Sequence, residues 1–525
     1  MEESEPNICG KAVNFRNWRL IASLLAVCAA LIILWARTGI VPAASGGDEV
    51  WWSESGYQFM HEGVLRWACL DDDKGSGTLS FWPPVTPLLQ AVMMTAFGVN
   101  SFGIYAQSSL VCTLIMIFVY LLCRRLQVER VSSLLASVGI FGLLIVDRQL
   151  TQMRMENLTA LAAIAFAWLI VVAADAPNMQ RRLILAAVAG LVMGIGLFCY
   201  YPQSPFLLLA CAGALLTIFF DKIFKIGTTV ILGSLPVILC GLIWILPHWE
   251  MFRHQVLDAG SKHYLSSSNI ISSMTQLVSV SDPSAWWQQV ERWGVLILGV
   301  VGIFYSTAVR LKMIAVMTVA ASLPMFIYNA PPQVAAGLFG VILLFGMQTE
   351  IRSTRACRIL QGCQWVLIAV GFLKLGMIGF TAYYQKEGRD YSVVKAALLE
   401  TVKPGGAVAI SQRAWLGLRE TIPADDLHFL VYSGASMENI PVAAKKSDAD
   451  DYFRWLVLER GKIPALKKLY PWIGRGIDSG KFKLIKEIKP LFKPLPWAKE
   501  PCYNLVVYKR IGSSLQPGEI GTEGK

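Results

Sequence analysis

The chain has 525 residues, 55% of them hydrophobic and only 16% charged, with a net charge of +11 and a mean hydropathy of +0.50. Soluble domains carry about a quarter charged residues, so this composition excludes an ordinary cytosolic enzyme, a disordered chain and a small disulfide scaffold. The apolar residues are also clustered, with no Asp, Glu, Lys or Arg over 75–123, 183–220 or 313–349. A membrane-spanning helix needs roughly 20 apolar residues. Each block is long enough for one or two spans, and the chain reads as a polytopic membrane protein.

Eleven spans are expected, at 20–36, 101–123, 131–146, 158–174, 183–201, 205–220, 226–247, 293–309, 313–328, 334–347 and 359–383. Tyr200-Tyr201-Pro202-Gln203-Ser204-Pro205 and Asn329-Ala330-Pro331-Pro332-Gln333 split two long blocks into hairpins, because proline stops a helix. Lys/Arg bias sets the orientation. Loops on one side hold 15 Lys and Arg, among them Lys11, Arg124, Arg125, Arg181, Arg310 and Arg358, against 7 in the longer opposite loops. The bias predicts a cytoplasmic N-terminus, and the odd span count puts the C-terminal part on the far side. The run from Arg19 to Pro42-Ala43-Ala44-Ser45 resembles a signal peptide, but its 17 apolar residues exceed most such cores, which favours a first span.

Three outer segments are too long to be turns. The first, 37–100, contains amphipathic stretches at 51–67 and 84–97, expected as helices along the membrane surface. The second covers 248–292. The third is the C-terminal part, with a helix over 391–401, a turn at Lys403-Pro404-Gly405-Gly406, a strand over 407–411, a helix near 414–420, and strands near 428–432, 455–458 and 503–508. Short β runs alternating with helices suggest a small α/β layer. The expected domains are a membrane domain over 1–383, an outer domain over 384–511 and a Gly/Ser-rich disordered tail over 512–525. From Tyr384 onward 23 Lys+Arg face 16 Asp+Glu, without the pattern of a nucleic-acid binder. The 11 cysteines form no CxxC motif; Cys69 and Cys502 alone fall in polar outer segments, where a disulfide between them is open.

Four places carry candidate chemistry. Gly46-Gly47-Asp48-Glu49 sets two carboxylates just beyond the first span, followed by Tyr57 and Gly63. A carboxylate held there can act as general base toward a hydroxyl or amine, although spacing alone favours a solvated loop pair. Asp147-Arg148…Arg154-Met155-Glu156-Asn157 places charge at the lip of a span, where arginine can grip a phosphate through its planar fork or simply anchor the lip. His248, Glu250, His254 and His263 lie in the second outer segment, the first three as metal ligands or all four as plain loop polars. Lys374 stands alone inside the last span, where a phosphate partner and a buried salt bridge are both open. The basic run Lys481, Lys483, Lys486, Lys489, Lys493 and Lys499 reads as a solvated face, with docking of anionic headgroups as the alternative.

From Asp48 to Leu126 the chain resembles the polyprenyl-phosphate-sugar-dependent glycosyltransferases of the GT-C fold, in particular the protein O-mannosyltransferase and aminoarabinose lipid A transferase group. The residues that carry the likeness are Asp48-Glu49, Tyr57, Gly63, Pro83-Pro84…Pro87-Leu88-Leu89, Phe97-Gly98-Val99-Asn100-Ser101-Phe102 and Arg124-Arg125-Leu126, in that order and spacing. The resemblance implies an α-helical polytopic membrane protein, GT-C-like, of about 11 transmembrane helices, with a small α/β extracytoplasmic C-terminal domain. It implies that Asp48 deprotonates the acceptor, which attacks the anomeric carbon and inverts it, while Glu49 and Glu156 orient the acceptor or a cation. Arg154 and Lys374 would stabilise the leaving lipid phosphate, and Tyr57, His254 and His263 would line the substrates. The implied partners are a polyprenyl-phosphate-linked sugar, an acceptor protein, lipid or envelope glycan, and the bilayer, with no nucleic acid. The group includes metal-dependent and metal-independent members, so a divalent metal is the one cofactor left open. Three departures stand out: Glu156 where Asp is common, Tyr200-Tyr201-Pro202 where lysine is frequent, and Asn329-Ala330 where an Arg-Tyr pair is usual. The competing readings are a multi-span transporter and a non-catalytic binder of lipid-linked sugars in the envelope. The expected location is the bacterial inner membrane.

Overall fold

The structure, a computed structural model, describes residues 8–38, 48–67, 69, 84–143, 154–253, 283–323, 334–351, 353–430, 449–489, 495–497 and 504–511. Asp147, Arg148, His254, His263, Cys502 and the tail over 512–525 lie outside the described residues. The principal helices are α1 (Ile8–Thr38), α2 (Asp48–Glu62), α3 (Val85–Phe97), α4 (Ser101–Arg125), α5 (Arg130–Gly139), α6 (Met155–Asp175), α7 (Met179–Leu197), α8 (Ser204–Phe219) and α9 (Ile223–Ile245). They continue as α10 (Pro283–Tyr305), α11 (Val309–Ser322), α12 (Val334–Met347), α13 (Thr354–Tyr384), α14 (Tyr391–Thr401), α15 (Trp415–Leu418), α16 (Ile463–Leu469) and α17 (Pro471–Asp478). The strands are β1 (Val408–Ile410), β2 (Leu427–Phe429), β3 (Trp455–Glu459), β4 (Phe482–Ile488) and β5 (Leu505–Arg510).

A helix overlaps each of the expected spans. Among the described residues six helical runs are long and apolar enough to cross a membrane by length and composition. The chain divides into two units, one of Met1–Trp35, Phe81–Val85 and Ser108–Ile378, the other of Ala36–Ser80, Thr86–Gln107 and Gly379–Lys525.

The first unit is a bundle of apolar helices. Lipid supplies no hydrophobic drive between helices, so small residues that let backbones touch decide the packing. A Cβ on Gly190 of α7 would strike the Val230 carbonyl of α9, and one on Gly233 of α9 would strike the Ala187 carbonyl of α7. Farther along the same pair, a Cβ on Gly194 would lie 3.1 Å from the Ser234 carbonyl. Helix α12 is buried along almost its whole length. By contrast α9 exposes Phe224, Ile231, Leu232, Leu239 and Ile243, the apolar side chains that a bilayer covers. At one end of the bundle Asp175, closing α6, accepts from Arg125 of α4 at 3.1 Å and pairs with Arg310 of α11. Glu350 caps the start of α11 by accepting from the Thr307 and Ala308 amides at 2.9 and 2.6 Å.

The second unit holds a five-stranded sheet in the order β2-β1-β3-β5-β4. Strands β2, β1 and β3 run parallel, while β5 is antiparallel to both β3 and β4. The first three strands are buried at every position, as expected of parallel strands covered on both faces. Ala409, Leu456, Leu458 and Val506 pack with Leu466 of α16 and with Trp472 and Ile473 of α17 in one apolar cluster. Helix α14 starts where the Asp390 side chain accepts from the Ser392 amide at 2.9 Å, an N-cap. It ends before Gly405 and Gly406, whose φ of 98° and 129° turn the chain into β1; this is backbone that a side chain would strain. Two elements stand beyond the sequence reading, strand β4 and the helix pair α16–α17.

Candidate active site

Helix α2 opens at Asp48 and Glu49, whose described structure is their helical backbone. Two acidic residues in a first turn suit the positive end of the helix dipole, which favours negative charge there. The helix closes at Gly63, where φ of 71° brings the glycine N–H to the Phe59 carbonyl at 3.0 Å, a left-handed cap that needs no Cβ.

Between these ends the protein encloses the helix. Trp52, Ser53, Glu54, Ser55 and Gln58 are all buried. The amphipathic surface helix expected from sequence would keep those polar residues in water. Here they point into protein instead, because α3 backs onto α2 at Gly56. A Cβ on Gly56 would lie 2.7 Å from the Pro87 carbonyl and 3.1 Å from the Gln90 Cβ.

Glu54, with 0% exposure, is the centre of this interior. Gln58 Nε2 donates to its Oε1 at 2.9 Å, Trp415 Nε1 to its Oε2 at 2.5 Å, and Arg419 Nε to the same oxygen at 3.0 Å. A charge taken out of water needs both an opposite charge and hydrogen bonds, and Glu54 has both. The Arg419 guanidinium also sits over the Tyr57 ring, 4.4 Å from its centroid, a cation–π contact. His61 lies against the other end of this helix turn, its ring 4.3 Å from that of Tyr57.

The electrostatics follow the geometry. Burial works against the Arg419 charge, yet Glu54, Cys69 and Tyr57 together outweigh it and hold the guanidinium pKa above its ordinary value. Burial first, and then the negative charge of Glu54, push the Cys69 thiol well above the usual thiol range. Burial also raises Tyr57, against the opposing pull of Arg419.

The same segment is tied to the sheet at its far end. The Phe429 amide of β2 donates to the Cys69 carbonyl at 3.1 Å. The Trp51 ring lies 5.9 Å from that of Phe429, and Trp67 Nε1 donates to the Trp51 carbonyl at 3.2 Å.

The remaining candidates belong to the bundle unit. Arg154 is the N-cap residue of α6, and Glu156 stands in its first turn, buried. Lys374 of α13 brings its Nζ within 3.5 Å of the Gly142 carbonyl, just past α5. Helices α5 and α13 meet there through glycines, since a Cβ on Gly371 would lie 2.9 Å from the Val138 carbonyl. His248 and Glu250 stand at an exposed helix end, where Glu250 faces Arg253 at 3.6 Å. Among the described residues no three His, Cys, Asp or Glu side chains gather as a metal site.

Sequence reasoning singled out Tyr57 but passed over Glu54, Trp415 and Arg419. One signal was available: Glu54 is the only charged residue between Val50 and Met60.

Residues 82–253 match the family described as dolichyl-phosphate-mannose-protein mannosyltransferase. No curated protein matches the chain. Among solved structures, ArnT from Cupriavidus metallidurans bound to undecaprenyl phosphate is similar with a TM-score of 0.58 at 9% identity, over 94% of this chain and 99% of that one. Its apo state gives 0.57 at 11% identity, over 92% and 97%. The apo oligosaccharyltransferase of Archaeoglobus fulgidus gives 0.51 at 11% identity, over 89% and 73%. The chain is a mostly helical membrane protein with the fold of the GT-C glycosyltransferases, the group that residues 48–126 resemble.

Proposed function

We propose that the protein is an integral membrane glycosyltransferase. It transfers a sugar from a polyprenyl-phosphate donor to an acceptor on the extracytoplasmic side. The observation that carries this reading is the match of residues 82–253 to a dolichyl-phosphate-mannose-dependent family within a fold shared with ArnT, a protein solved with undecaprenyl phosphate.

In the proposed reaction Asp48 is the general base. The acceptor hydroxyl or amine attacks the anomeric carbon from the face opposite the phosphate, and its proton passes to the Asp48 carboxylate. The bond between the anomeric carbon and the phosphate oxygen breaks with inversion, and polyprenyl phosphate leaves as the anion. Arg154 and Lys374 offset the charge that develops on it. Glu49 and Glu156 orient the acceptor, and Tyr57, His254 and His263 complete the substrate contacts. Residues 1–383 form the membrane-embedded catalytic part and 384–511 the extracytoplasmic part of an inner-membrane protein whose N-terminus is cytoplasmic.

The test is Asp48→Asn in membranes supplied with a lipid-linked sugar. The expected result is loss of transfer with the protein still folded, whereas unchanged transfer moves the base elsewhere. Reporter fusions at both ends test the orientation, and a cytosolic location of residue 48 sinks the reading. Net solute flux into vesicles in place of transfer supports a transporter.

A further inference from the structure

We propose that Glu54, Trp415 and Arg419 are positioning residues for the reaction: the C-terminal part of the chain sets the rotation of α2 and, with it, the aim of the Asp48 carboxylate. This rests on the reading of Asp48 as the base.

A helix that carries a reactive group has three rigid-body freedoms that matter: depth, slide along its axis and rotation about it. Depth is fixed at Gly56, where the Pro87 carbonyl leaves no room for a Cβ. Slide is limited by the turn after α2, where Cys69 is held by the Phe429 amide. Neither of these fixes rotation. Apolar packing is weakly directional, while hydrogen bonds to a charged group are strongly so. Three nitrogen donors bond to Glu54, Gln58 on its own helix and Trp415 and Arg419 beyond it. The last two donors come from 361 and 365 residues away. They are held in turn by a tight local fold, for the Tyr391 hydroxyl of α14 donates to the Arg413 carbonyl at 3.0 Å and accepts from the Gly417 amide at 2.8 Å.

The lever is short. Asp48 lies six residues before Glu54, roughly 9 Å along the helix at 1.5 Å per residue. A side chain reaches about 6 Å from a helix axis, so a rotation of α2 by about 10° carries a carboxylate sideways by about 1 Å. A misplacement of that size costs up to about a hundredfold in rate. Burying an ion pair adds little net stability compared with apolar side chains of the same volume. The directional bonds to Glu54 therefore act on orientation more than on stability.

The experiment uses the full-length protein and two variants, Glu54→Gln and Trp415→Phe. Glu54→Gln keeps shape but removes the charge, and Trp415→Phe removes the indole N–H with one ring of a buried side chain; both weaken the bonds at position 54. Transfer is measured with a polyprenyl-phosphate sugar, and amide exchange over residues 48–53 is followed by mass spectrometry. Expected are a fall in kcat of about tenfold or more for Glu54→Gln, a smaller fall for Trp415→Phe, a donor KM within about twofold of the parent, and faster exchange in the first turns of α2. Wild-type kcat and unchanged exchange in both variants overturn the proposal. So does a loss of rate that merely tracks the loss of folded protein in both. Asp48→Asn separates this from the parent reading. If that variant transfers normally, Asp48 is not the base, while the exchange data still report on how firmly the Glu54 bonds hold α2. If it is inactive and Glu54→Gln is not, only the positioning role fails.

Discussion

Arg419 Nε and Glu54 Oε2 lie 3.0 Å apart, with side-chain exposures of 8% and 0%. Truncating one partner of such a pair strands a charge in the interior, at a cost of about 3–5 kcal/mol. Arg419→Ala is therefore expected to lower the melting temperature of the detergent-solubilised protein far more than truncation of an exposed arginine such as Arg181. Exchanging Glu54 and Arg419 together for apolar residues of similar volume is expected to recover most of that loss, since the double change strands nothing.

Cys69 is a free thiol with 1% exposure, beside a carboxylate that disfavours the thiolate. The thiolate is the reactive form, so alkylation by iodoacetamide at pH 8 is expected to be slow in the folded protein. Addition of denaturant brings it to the rate of an ordinary cysteine. Mass spectrometry of the peptide that contains Cys69 provides the measurement.

Glycine at 190 and 233 is required by the crossing of α7 and α9, where a Cβ meets a carbonyl oxygen of the partner helix. Gly190→Ala or Gly233→Ala is expected to force the helices apart, at about 1–3 kcal/mol. Gly362→Ala on α13, with nothing within 4 Å of its Cβ position, is expected to be neutral or mildly stabilising because alanine is the better helix former. Melting temperatures of the three variants in one detergent test this ordering.

Charge pairs line strand β4. The Lys481 ammonium holds Asp451 below the ordinary carboxylate range, and burial of Lys481 is outweighed by its bonds to Asp450 and Asp451, which raise its pKa. A carboxylate lowered in this way stabilises the fold above its unfolded pKa, near 3.9, and the contribution is lost as pH falls through the lowered value. The raised lysine contributes below its unfolded pKa and ceases to do so as pH rises through the folded one. Stability of the full chain between pH 5 and pH 2 is thus expected to decline less in Lys481→Met than in the parent. The difference should shrink in high salt, because these groups face water.

Composition and charge patterning were enough for the membrane class, because bilayer crossing demands long uncharged runs. In the outer part, helix α14 was legible ahead of the turn Lys403-Pro404-Gly405-Gly406, a local signal. Strand β4 was not. Its lysines read as a solvated basic face, and the register shift between Leu484 and Lys486 breaks the two-residue alternation that marks a strand. The structure gives those lysines partners: Lys481 with Asp450 and Asp451, Lys486 with Glu400, and Lys489 with Glu487. Glu54 escaped for a different reason. Its isolation as the one charge between Val50 and Met60 is a faint local signal, and the groups that make its burial tolerable lie 361 and 365 residues downstream.

That separation also orders events on the ribosome. At roughly 5–20 residues per second, the 365 residues between Glu54 and Arg419 take about 20–70 seconds to synthesise. Throughout that interval the first loop carries an acid with neither the arginine nor the tryptophan that later encloses it, and it has to wait in water. Strand β5, which separates β3 from β4, arrives later still. A nascent chain interrupted before residue 505 would therefore sit in the bilayer with its sheet unfinished, a state that quality-control proteases could recognise.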